Sequence, residues 1–344
     1  MPKMTIAEVA EMAGVSVATV SKVLNDRPGV GDLTREKVQL LLAEHDYVRR
    51  ASRPSEPDSG LIDVLLDNVG SLWQLEMLAG VAERLSRQRL SLVITPSQGS
   101  NTSEVDVARW VDQIAAHRSE GVLLSLWNVN PVLQRKLSSY RLPFVAIDAG
   151  NVTGQGIPTI GPADFASART ATEHLLGLGH RRIALIGGPS HLACAHLRED
   201  GFLAAMRRAD IPVPAWATSN GPFSTENGAR SAYRLLTRDD RPTAIFAASD
   251  LQASGVYETC RALGLRIPED LSVVGFDDLP IASWLWPALT TVRQPIREMA
   301  RTAVDMLVEM IAGRPPTSTR VELAAELVVR ASSAPPVEPS IEAS

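Results

Sequence analysis

Cysteine and histidine are scarce in this sequence, and their scarcity excludes several kinds of site. The 344 residues include two cysteines, Cys194 and Cys260, and six histidines. Two distant cysteines form neither a disulfide framework nor a CxxC metal pair, so they indicate isolated thiols in a reducing compartment. His191 and His196 are five residues apart, a poor spacing for one helix face, and no cysteine or carboxylate completes a zinc set. We therefore expect neither a bound metal nor a cofactor.

The sequence also lacks long hydrophobic runs. The longest apolar stretches, such as IALIGG at 183–188, have the length of a strand and are too short to cross a membrane. The N-terminus, MPKMTIAEVAEMAG, is amphipathic and acidic and lacks the apolar core of a secretory signal. We expect a soluble cytoplasmic protein with no membrane partner.

Motifs of the common enzyme classes are missing as well. The stretch GHRRIALIGGP at 179–189 is glycine-rich, but it has neither GxGxxG nor a GKS or GKT ending, so it does not predict a phosphate loop. No GxSxG elbow occurs, and neither cysteine lies beside an obvious histidine base. Asp277 and Asp278 adjoin on a strand end, which points their side chains apart. We expect no enzymatic activity, with a sugar-active enzyme as an alternative.

Positive charge is not in excess either. The chain carries 34 Lys and Arg against 39 Asp and Glu, a formal net charge of -5, and so gives no overall signal for nucleic acid. The first 53 residues hold eight Lys or Arg against seven Asp or Glu, so the N-terminal part is near neutral while the remainder is acidic. With 45% hydrophobic residues over this length, the chain can bury more than one core.

Three short helical patterns occupy the start of the chain. Thr5 can cap the first helix, with Glu8 three residues on completing a capping box, and Gly14 ends it. Ser16 and Thr34 can cap the second and third helices. Apolar residues at helical spacing give each helix one inward face: Ile6, Val9, Ala10 and Ala13, then Val20, Val23 and Leu24, then Val38, Leu41 and Leu42.

Two short helices joined by Ala-Gly-Val-Ser have the geometry that lets the second helix lie in the major groove of DNA. Gly14 permits the tight turn, and Val15 fills the gap between the helices. In the second helix, Val17 and Ala18 can contact thymine methyl groups, and Lys22 can reach guanine acceptors. Hydroxyl and amide side chains suit the phosphate contacts that set register: Ser16, Thr19, Ser21 and Asn25. Double-stranded DNA is the predicted partner, with a three-helix bundle that binds no nucleic acid as the alternative.

From residue 61 the pattern changes to alternating strands and helices. A linker rich in Arg, Pro, Ser and Gly, RRASRPSEPDSG at 49–60, precedes it. Continuous apolar strands separated by helices indicate buried parallel sheets, and about ten such strands suit two doubly wound units better than one. The clearest are LIDVLLD, LSLVITP, GVLLSL, PFVAID, RRIALIGG, TAIFAAS and LSVVGFDD. The last residues, 331–344, are predicted to be disordered.

Polar side chains stand at the carboxyl ends of several predicted strands, where the side chains of parallel sheets converge on a ligand-binding crevice. They are Asp67, Asn68, Asp148, Ser249, Asp250, Asp277 and Asp278. Carboxylates can accept hydrogen bonds from neighbouring hydroxyl groups of a sugar, to which an arginine can donate. We expect Asp250 instead to cap the next helix and Asp278 to hold the turn into LPIAS. Trp73, just after the first strand, can offer a stacking face.

The sequence resembles the LacI/GalR family of bacterial repressors. The string TIAEVAEMAGVSVATVSKVLNDRPGV matches that family's head nearly residue for residue. The resemblance continues to about residue 330 through GHRRIALIGGP, RPTAIFAASDLQASGVYE, LRIPEDLSVVGFDDLP and LTTVRQP. It implies an α/β protein with a three-helix helix-turn-helix head and a body like the periplasmic sugar-binding fold, in which two lobes of parallel sheet joined by three crossings hold ligand between them. The implied parts are a head at 1–48, a hinge at 49–60 and an effector-binding and dimerisation body at 61–330.

The resemblance also implies lobes and site residues. The N-lobe would comprise about 61–160 and 292–318, and the C-lobe about 161–291 and 319–330. Matched position by position, Asp148, Arg198 and Asp277 fall on ligand-contacting sites of the family. Ser249 stands where many members have Asn, and Phe223 where some place a ring-stacking Trp. Together with Trp73 these residues form the predicted sugar site, although an aromatic side chain can equally belong to the core.

The resemblance fails at the hinge after Tyr47. Family members have a short helix there that orders on DNA and wedges a leucine into the minor groove. In this sequence Glu56 holds the leucine position, and Pro54 and Pro57 obstruct a helix. The segment carries Arg49, Arg50 and Arg53. These arginines either enter a narrowed minor groove or contact phosphates, or they belong to a solvated linker that makes no DNA contact. The remaining predicted DNA contacts are Thr5, Tyr47, Arg49 and Arg50.

Taken together, these features predict a repressor of carbohydrate-utilisation genes that a sugar effector releases from its operator. A homodimer would place two heads on a pseudo-palindromic operator, and the tail has no heptad that predicts a tetramer. Trp284 and Trp286 are expected at the lobe crossing or at the dimer interface. Two alternatives stay open: a regulator that uses the ligand as a corepressor, and a cytoplasmic sugar-binding protein that does not act on DNA.

Overall fold

The computed structural model describes residues 6–24, 29–44, 59–66, 70–96, 104–125, 128–129, 131–149, 151–152 and 157–337. They divide into two compact units: one holds the three N-terminal helices together with Arg135–Leu142, and the other holds the two large sheets. Several predicted positions lie outside the described residues: Thr5, Asn25, Tyr47, Arg49, Arg50, the hinge residues 51–58, Asp67 and Asn68.

The N-terminal unit is a three-helix head. Its helices are α1 Ile6–Ala13, α2 Val17–Leu24 and α3 Asp32–Glu44. Gly14 ends α1 with a φ of +68°, a left-handed conformation that a glycine adopts without a steric penalty. Its backbone N–H bonds to the carbonyl of Glu11, and the N–H of Val15 bonds to the carbonyl of Ala10. This Schellman closure ends the helix and turns the chain sharply into α2.

The starts of the next two helices differ from each other. Ser16 caps α2 as predicted, because its Oγ accepts the backbone N–H of Thr19 at 3.1 Å. The prediction that Thr34 caps the third helix is wrong. The helix begins at Asp32, and the N–H of Thr34 already bonds to the carbonyl of Gly31 in the first turn. Thr34 is therefore inside the helix.

A small apolar core holds the head together. Its fully buried members are Val9, Ala10, Ala13, Val20, Val23 and Val38, with Val15, Leu41 and Leu42 partly buried around them. These residues lie on the inward faces predicted from helical spacing. Burying one valine side chain stabilises a fold by roughly 1.5–3 kcal/mol, so a core of this kind can support a head of three short helices.

The body alternates strands and helices. Its strands are β1 Leu61–Leu66, β2 Ser91–Pro96, β3 Gly121–Ser125, β4 Asn128–Val129, β5 Phe144–Ile147, β6 Asn151–Val152, β7 Thr159–Pro162, β8 Ile183–Ile186, β9 Thr218–Ser219, β10 Ala244–Ala247, β11 Ser272–Asp277, β12 Thr290–Arg293, β13 Arg320–Leu323 and β14 Glu326–Val328. Its helices are α4 Leu72–Arg87, α5 Glu104–Ala116, α6 Pro131–Ser139, α7 Asp164–Gly177, α8 Ala193–Arg208, α9 Thr225–Leu236, α10 Asp250–Leu263, α11 Pro280–Trp284 and α12 Ile296–Ile311.

The strands form one sheet in each lobe. The N-lobe sheet has the order β13-β7-β5-β3-β1-β2, and its neighbours pair in parallel. The C-lobe sheet has the order β14-β12-β11-β10-β8-β9, with β14 as its antiparallel edge strand. The seven strands predicted from apolar runs are all present, as β1, β2, β3, β5, β8, β10 and β11. The remaining strands are short, and their sequences show no apolar run of comparable length.

Helices cover the sheets, which explains why the central strands are apolar apart from the buried Asp63 of β1. In the N-lobe, α12 packs on α4, and Met299 and Leu307 of α12 share a core with Ile62 and Val64 of β1. In the C-lobe, α7 packs on α8, and α9 packs on α10, around the apolar residues of β8, β10 and β11. A parallel sheet buried on both faces needs apolar side chains on both faces.

Three chain crossings join the lobes, as the resemblance implied. They lie between β7 and α7, between β12 and α12, and between β13 and β14. Arg320–Leu323 pairs with Thr159–Pro162 in the N-lobe sheet, so the assignment of 319–330 to the C-lobe is wrong for its first part, and the N-lobe extends past residue 160. The sequence RVELAAELVV crosses from one sheet to the other without a helix, so its pattern does not mark the change of lobe.

The prediction of a disordered tail is wrong for residues 331–337, which pack on the C-lobe. Ser332 is fully buried. Its Oγ accepts the N–H of Thr290 at 2.7 Å and donates to the carbonyl of Val273 at 2.6 Å. These contacts use hydroxyl and backbone groups, which leave no hydrophobic pattern in the sequence. Residues 338–344 lie outside the described residues.

Candidate functional site

The outer side of α2 carries the described side chains that were assigned to DNA. They are Ser16, just before the helix, and Val17, Ala18, Thr19, Ser21 and Lys22 within it. Val17, Ala18 and Lys22 are exposed, and Thr19 and Ser21 are half-buried. Val17 is 46% exposed although it is apolar, while the neighbouring Val20 is fully buried in the head. Short side chains and one lysine on an exposed helix face allow close approach to base edges.

A cleft of about 930 Å³ lies between the two lobes of the body. Every side chain predicted to bind ligand lines it: Trp73, Asp148, Arg198, Phe223, Ser249 and Asp277. Asp148, Ser249 and Asp277 stand at the carboxyl ends of β5, β10 and β11, where the sequence placed them. The volume is in the range of small-molecule sites. The structure therefore brings all six residues to one cavity.

Arg198 of α8 is the buried cation of this cavity. Its Nε donates to Asp164 Oδ1 at 2.7 Å, and its Nη1 donates to the carbonyl of Ala248 at 2.7 Å. The same Nη1 lies 3.7 Å from Asp277 Oδ1, and the guanidinium lies 3.9 Å from the ring centroid of Phe276. Burial opposes the charge, but the neighbouring carboxylates outweigh it and raise the pKa of Arg198. The arginine is therefore charged and firmly positioned.

Two carboxylates enter the cleft from strained backbone. Asp148 has a φ of +49° and Asp277 a φ of +118°, both in the region that residues with a Cβ rarely adopt. Such a conformation costs on the order of 1–3 kcal/mol and persists where the surrounding structure enforces it. Asp148 and Asp277 thus combine a strained backbone with a place in the cleft lining.

Asp148, Asp164 and Asp277 lie around Arg198, and their burial and mutual charges shift their pKa values. Burial and the charge of Asp164 raise the pKa of Asp148 to about 8, against the opposing effect of Arg198. Burial also raises the pKa of Asp277 to about 7, with Arg198 opposing and Asp164 reinforcing the shift. Burial likewise raises the pKa of Asp164, whose ion pair with Arg198 pulls it down. The cleft therefore holds protons near neutral pH that an effector can displace.

Apolar side chains form much of the remaining wall. The rings of Trp73 and Phe223 are accompanied by Leu72, Leu192, Leu251 and Leu279. Phe223 packs so closely over Gly188 that a Cβ there would collide with its ring. The indole N–H of Trp73 donates to Gln294 Oε1 at 3.3 Å, which holds the tryptophan at the cleft edge. Rings held in this way can face a ligand as well as the protein interior.

Ser249, and not Asp250, caps α10, so the predicted role of Asp250 is wrong. The Oγ of Ser249 accepts the N–H of Gln252 at 3.2 Å. Asp250 is the first residue of the helix, and its carboxylate accepts bonds from Thr291 Oγ1 at 2.5 Å and from the N–H of Leu279 at 2.8 Å. It ties the loop after β11 to β12. Ser249 thus has a structural role while it lines the cleft.

Asp278 holds its turn through ion pairs. Its Oδ2 lies 2.7 Å from Arg293 Nε, and its Oδ1 lies 2.6 Å from Arg330 Nη2. These contacts join the end of β11 to β12 and to the chain after β14. The structural role that the sequence indicated for Asp278 matches this geometry.

Two residues of the site were not predicted from the sequence. Asp164, the first residue of α7, is buried and binds Arg198. Gln294 lies in the crossing between β12 and α12, and its Nε2 donates to Asp277 Oδ1 at 2.6 Å. Gln294 directly follows β12 and Asp164 comes two residues after β7, both at a lobe crossing. That position, rather than residue type, is the signal that would have found them.

Trp284 and Trp286 do not pack at a lobe crossing, and that part of the prediction is wrong. They are 74% and 92% exposed. Trp284 is the last residue of α11 and Trp286 lies in the loop after it, whereas Ala282 of the same helix packs into the C-lobe core. Their assignment to a dimer interface stays a prediction.

In the described ranges, no group of three or more His, Cys, Asp or Glu is placed to hold a metal ion. None of the helices seen there is both long enough and apolar enough to span a bilayer.

Known protein families match both parts of the chain. Residues 5–50 match the bacterial regulatory proteins of the lacI family, and residues 172–333 match a periplasmic binding protein-like domain. The HTH-type transcriptional repressor PurR of Vibrio vulnificus is 32% identical over 95% of this chain and 97% of its own length. The HTH-type transcriptional regulator MalR of Streptomyces coelicolor is 34% identical over 96% of each chain. The ribose operon repressor of Escherichia coli is 30% identical over 96% of this chain and 99% of its own length.

Solved structures agree with the sequence relatives. A complex of the transcriptional regulator CelR with cellobiose has a TM-score of 0.74 and 29% identity, covering 96% of this chain and 100% of that chain. A Lac repressor dimer bound to operator and an anti-inducer has a TM-score of 0.71 and 28% identity, covering 96% and 99%. Because curated relatives at 30% identity or more span nearly the whole length, this chain belongs to the lacI family of bacterial regulatory proteins and is a helix-turn-helix transcriptional regulator.

Proposed function

We propose that the chain represses carbohydrate-utilisation genes and that a sugar bound in the cleft releases it from its operator. The observation that carries the proposal is the meeting of Asp148, Arg198 and Asp277 in one cleft between two lobes. Carboxylate acceptors, a guanidinium donor and aromatic faces suit a molecule with many hydroxyl groups on an apolar ring. Relatives described as a cellobiose complex and a ribose operon repressor support the same ligand class.

The head would read DNA through α2 in the major groove. Val17 and Ala18 would contact thymine methyl groups, Lys22 would donate to a guanine, and the hydroxyls of Ser16, Thr19 and Ser21 would contact phosphates. As a regulator of chromosomal genes the protein would act in the cytoplasm. The hinge contacts of Arg49 and Arg50 belong to the same proposal.

A homodimer would bring two heads onto one pseudo-palindromic operator. The half-sites would lie about one helical turn apart, or a multiple of it, as expected for a two-fold symmetric pair of reading helices. Trp284 and Trp286 support a second copy as the partner, because exposed tryptophans of this size are enriched at interfaces. The dimeric Lac repressor structure supports this arrangement by likeness.

The cleft would act on the heads by closing. Trp73 and Asp148 belong to the N-lobe, and Arg198, Phe223 and Asp277 to the C-lobe, so one ligand can contact both lobes. A ligand that binds the closed arrangement better shifts the population toward it. Closure moves the two N-lobes of a dimer relative to each other, and the heads then lose their common register. The coupling expected for such a transition is about 1–3 kcal/mol.

A DNA-binding titration tests this proposal. Fluorescently labelled DNA from upstream of the protein's own gene would be titrated with the full chain, with and without ribose, maltose or cellobiose. We expect tight binding that one of these sugars weakens. Asp277→Ala should bind the DNA but no longer respond to the sugar, while the exposed control Asp239→Ala should respond normally.

Each other outcome identifies a different function. Sugar binding without DNA binding would contradict the proposal and indicate a sugar-binding protein. Tighter DNA binding in the presence of sugar would contradict release and indicate a corepressor. Chemical conversion of the sugar would indicate an enzyme.

A further inference from the structure

The chain enters the N-lobe at Ser59 and Gly60, and one loop of that lobe binds both residues. Ser59 Oγ donates to the carbonyl of Arg118 at 2.7 Å, and the backbone N–H of Gly60 donates to Glu120 Oε1 at 2.6 Å. Gly60 has a φ of +68°, and its carbonyl accepts the N–H of Ser91 at 2.6 Å. We call Ser59 and Gly60 the linker root, because the linker predicted from the sequence ends with them.

The loop that binds the linker root, residues 117–120, connects α5 to β3 and is anchored inside the N-lobe. Its anchor is Asp63 of β1, which is fully buried. Ser119 Oγ donates to the Asp63 carboxylate, and Thr95 Oγ1 of β2 donates to it at 2.7 Å. His117 Nδ1 lies 3.4 Å from the same carboxylate. Displacing the loop would leave buried polar groups unpaired, so the loop is fixed to the N-lobe sheet.

Glu120 is the side chain that holds the linker root. It is 7% exposed, so its bond to the Gly60 N–H is partly shielded from water. A carboxylate oxygen forms a stronger bond with a backbone N–H than a neutral oxygen does. The backbone N–H of Glu120 in turn donates to the carbonyl of Leu61 at 2.9 Å. Gly60 and Leu61 are therefore held in one orientation at the point where the linker meets the lobe.

Packed elements join Glu120 to the cleft. Glu120 directly precedes β3, and Ser125 at the other end of that strand lines the cleft. A strand of five residues spans about 16 Å. At its start, Gly121 lies so close to α12 that a Cβ would come within 2.8 Å of Leu307 Cδ1. Because α12 follows the lobe crossing that contains Gln294, both the cleft and this crossing are in packed contact with the loop that holds the linker root.

We propose that Glu120 is a positioning residue for DNA binding. By holding the linker root, it sets the direction in which each N-lobe presents its head, and so sets the half-site spacing that the dimer prefers. The inference rests on the proposed function, since it needs two heads on one operator. It goes further by naming the contact through which a movement of the N-lobe reaches the linker. Glu120 acts through Gly60 and not through contact with DNA or effector.

DNA binding by the full chain, measured without sugar, tests the inference. The probes are labelled DNA from upstream of the protein's own gene, the same DNA with one or two base pairs inserted or deleted at the centre of the operator, and a single half-site. We expect the unmodified protein to prefer one spacing. Glu120→Ala should lower that preference at least about fivefold and leave the affinity for the single half-site unchanged.

The ratio of the affinities for two spacings is the informative quantity. A loss of stability lowers the amount of folded protein equally for every probe, so it leaves this ratio unchanged. Glu120→Gln keeps an acceptor for the Gly60 N–H and should retain most of the preference. Glu298→Ala, at an exposed position of α12, is the control and should retain all of it.

A second variant keeps the test open if Glu120→Ala does not fold. Ser59→Ala changes an exposed side chain and removes the bond to the Arg118 carbonyl, so it should lower the spacing preference in the same direction by a smaller factor. A folded Glu120→Ala protein with the spacing preference of the unmodified chain would overturn the inference. An equal loss in Glu298→Ala would overturn it as well.

Because spacing is measured without sugar, the outcomes separate this inference from the proposed function. If Glu120→Ala loses the spacing preference but no sugar releases the DNA, the function fails and the inference stands. If sugar releases the DNA and Glu120→Ala keeps the preference, the inference fails and the function stands. If the unmodified protein binds every spacing equally, the inference fails whether or not sugar releases the DNA.

Discussion

The carboxylate of Asp277 accepts a hydrogen bond of 2.6 Å from the side-chain amide of Gln294. Asp277 ends a strand of the C-lobe sheet, whereas Gln294 lies in the crossing that leads to α12 of the N-lobe. The amide oxygen of Gln294 accepts the indole N–H of Trp73 in the N-lobe. Hydrogen bonds through Gln294 in the crossing therefore connect Asp277 of the C-lobe to Trp73 of the N-lobe. A ligand that contacts Asp277 contacts one end of this connection.

Gln294→Leu should weaken effector binding. The substitution removes the donor that holds Asp277 and the acceptor that holds Trp73, and it leaves buried polar groups unpaired at a cost of about 1–3 kcal/mol. Sugar affinity should fall by about 5- to 150-fold by calorimetry, while operator binding without sugar is retained. Gln113→Leu on the exposed side of α5 is the matched control. Unchanged sugar affinity in Gln294→Leu would show that the bridge does not position the site.

Effector affinity should rise with pH through the range 7 to 8. Sugar hydroxyls donate to carboxylates, so binding favours the ionised forms of Asp277 and Asp148, whose pKa values are raised to about 7 and about 8. Binding then releases protons, and affinity should rise by up to about tenfold per pH unit for each proton released. Calorimetry in buffers of different ionisation enthalpy would count the protons.

The unliganded protein should show the opposite trend in stability. Because burial raises both pKa values in the folded state, the unfolded chain loses these protons at lower pH. The contribution to the free energy of unfolding is present below about pH 4 and is lost as pH rises towards 8. Asp277→Asn should flatten both profiles. A sugar affinity that is constant from pH 6 to 9 would contradict the release of protons from Asp148 and Asp277 on binding.

Lys22→Ala should relax the base preference of the head at one position in each half-site. A specific lysine contact to guanine contributes about 1–3 kcal/mol of discrimination against the wrong base. Binding to a library of operator variants, read by sequencing, measures this directly. Lys37→Ala on the exposed face of α3 should leave the preference unchanged. Uniform weakening across all variants would instead make Lys22 a phosphate contact.

Ser332→Ala should lower the free energy of unfolding by about 1–3 kcal/mol. The hydroxyl joins the N–H of Thr290 to the carbonyl of Val273, and its removal leaves both groups unpaired inside the C-lobe. Urea denaturation followed by circular dichroism provides the measurement. Ser86→Ala, at an exposed position of α4, should change stability by no more than about 0.5 kcal/mol. Equal effects of the two substitutions would mean that the tail is not a structural part of the lobe.

Local rules in the sequence predicted the central strands, the start of α2 at Ser16 and the end of α1 at Gly14. Apolar runs mark strands that are buried on both faces. Ser16 and Gly14 cap or end a helix through hydrogen bonds to residues three positions away. Thr34 was wrongly assigned because α3 begins two residues earlier, at Asp32, and the carbonyl of Gly31 accepts the N–H of Thr34. Every residue has a backbone carbonyl, so the sequence does not mark this start. A cap rule that depends only on residue type also assigned the capping role to Asp250 instead of its neighbour Ser249.

The cleft was predictable where its residues end a strand and not where they depend on contacts across the fold. Asp148 and Asp277 stand at the ends of apolar strands, so the sequence predicts their place at the cleft. Asp164 and Gln294 act only because the lobe crossings bring them beside Arg198 and Asp277. The strands can therefore be predicted from short stretches of sequence, whereas the contacts within the site depend on how the fold brings distant residues together.

The most direct test of the account is a measurement of linkage in both directions on the full-length protein. Operator affinity would be measured with and without saturating sugar, and sugar affinity with and without saturating operator. The account predicts a dimer in which sugar and operator weaken each other's binding by the same factor, about 5- to 150-fold. A monomer whose operator affinity is the same in the presence and absence of every sugar tested would contradict it.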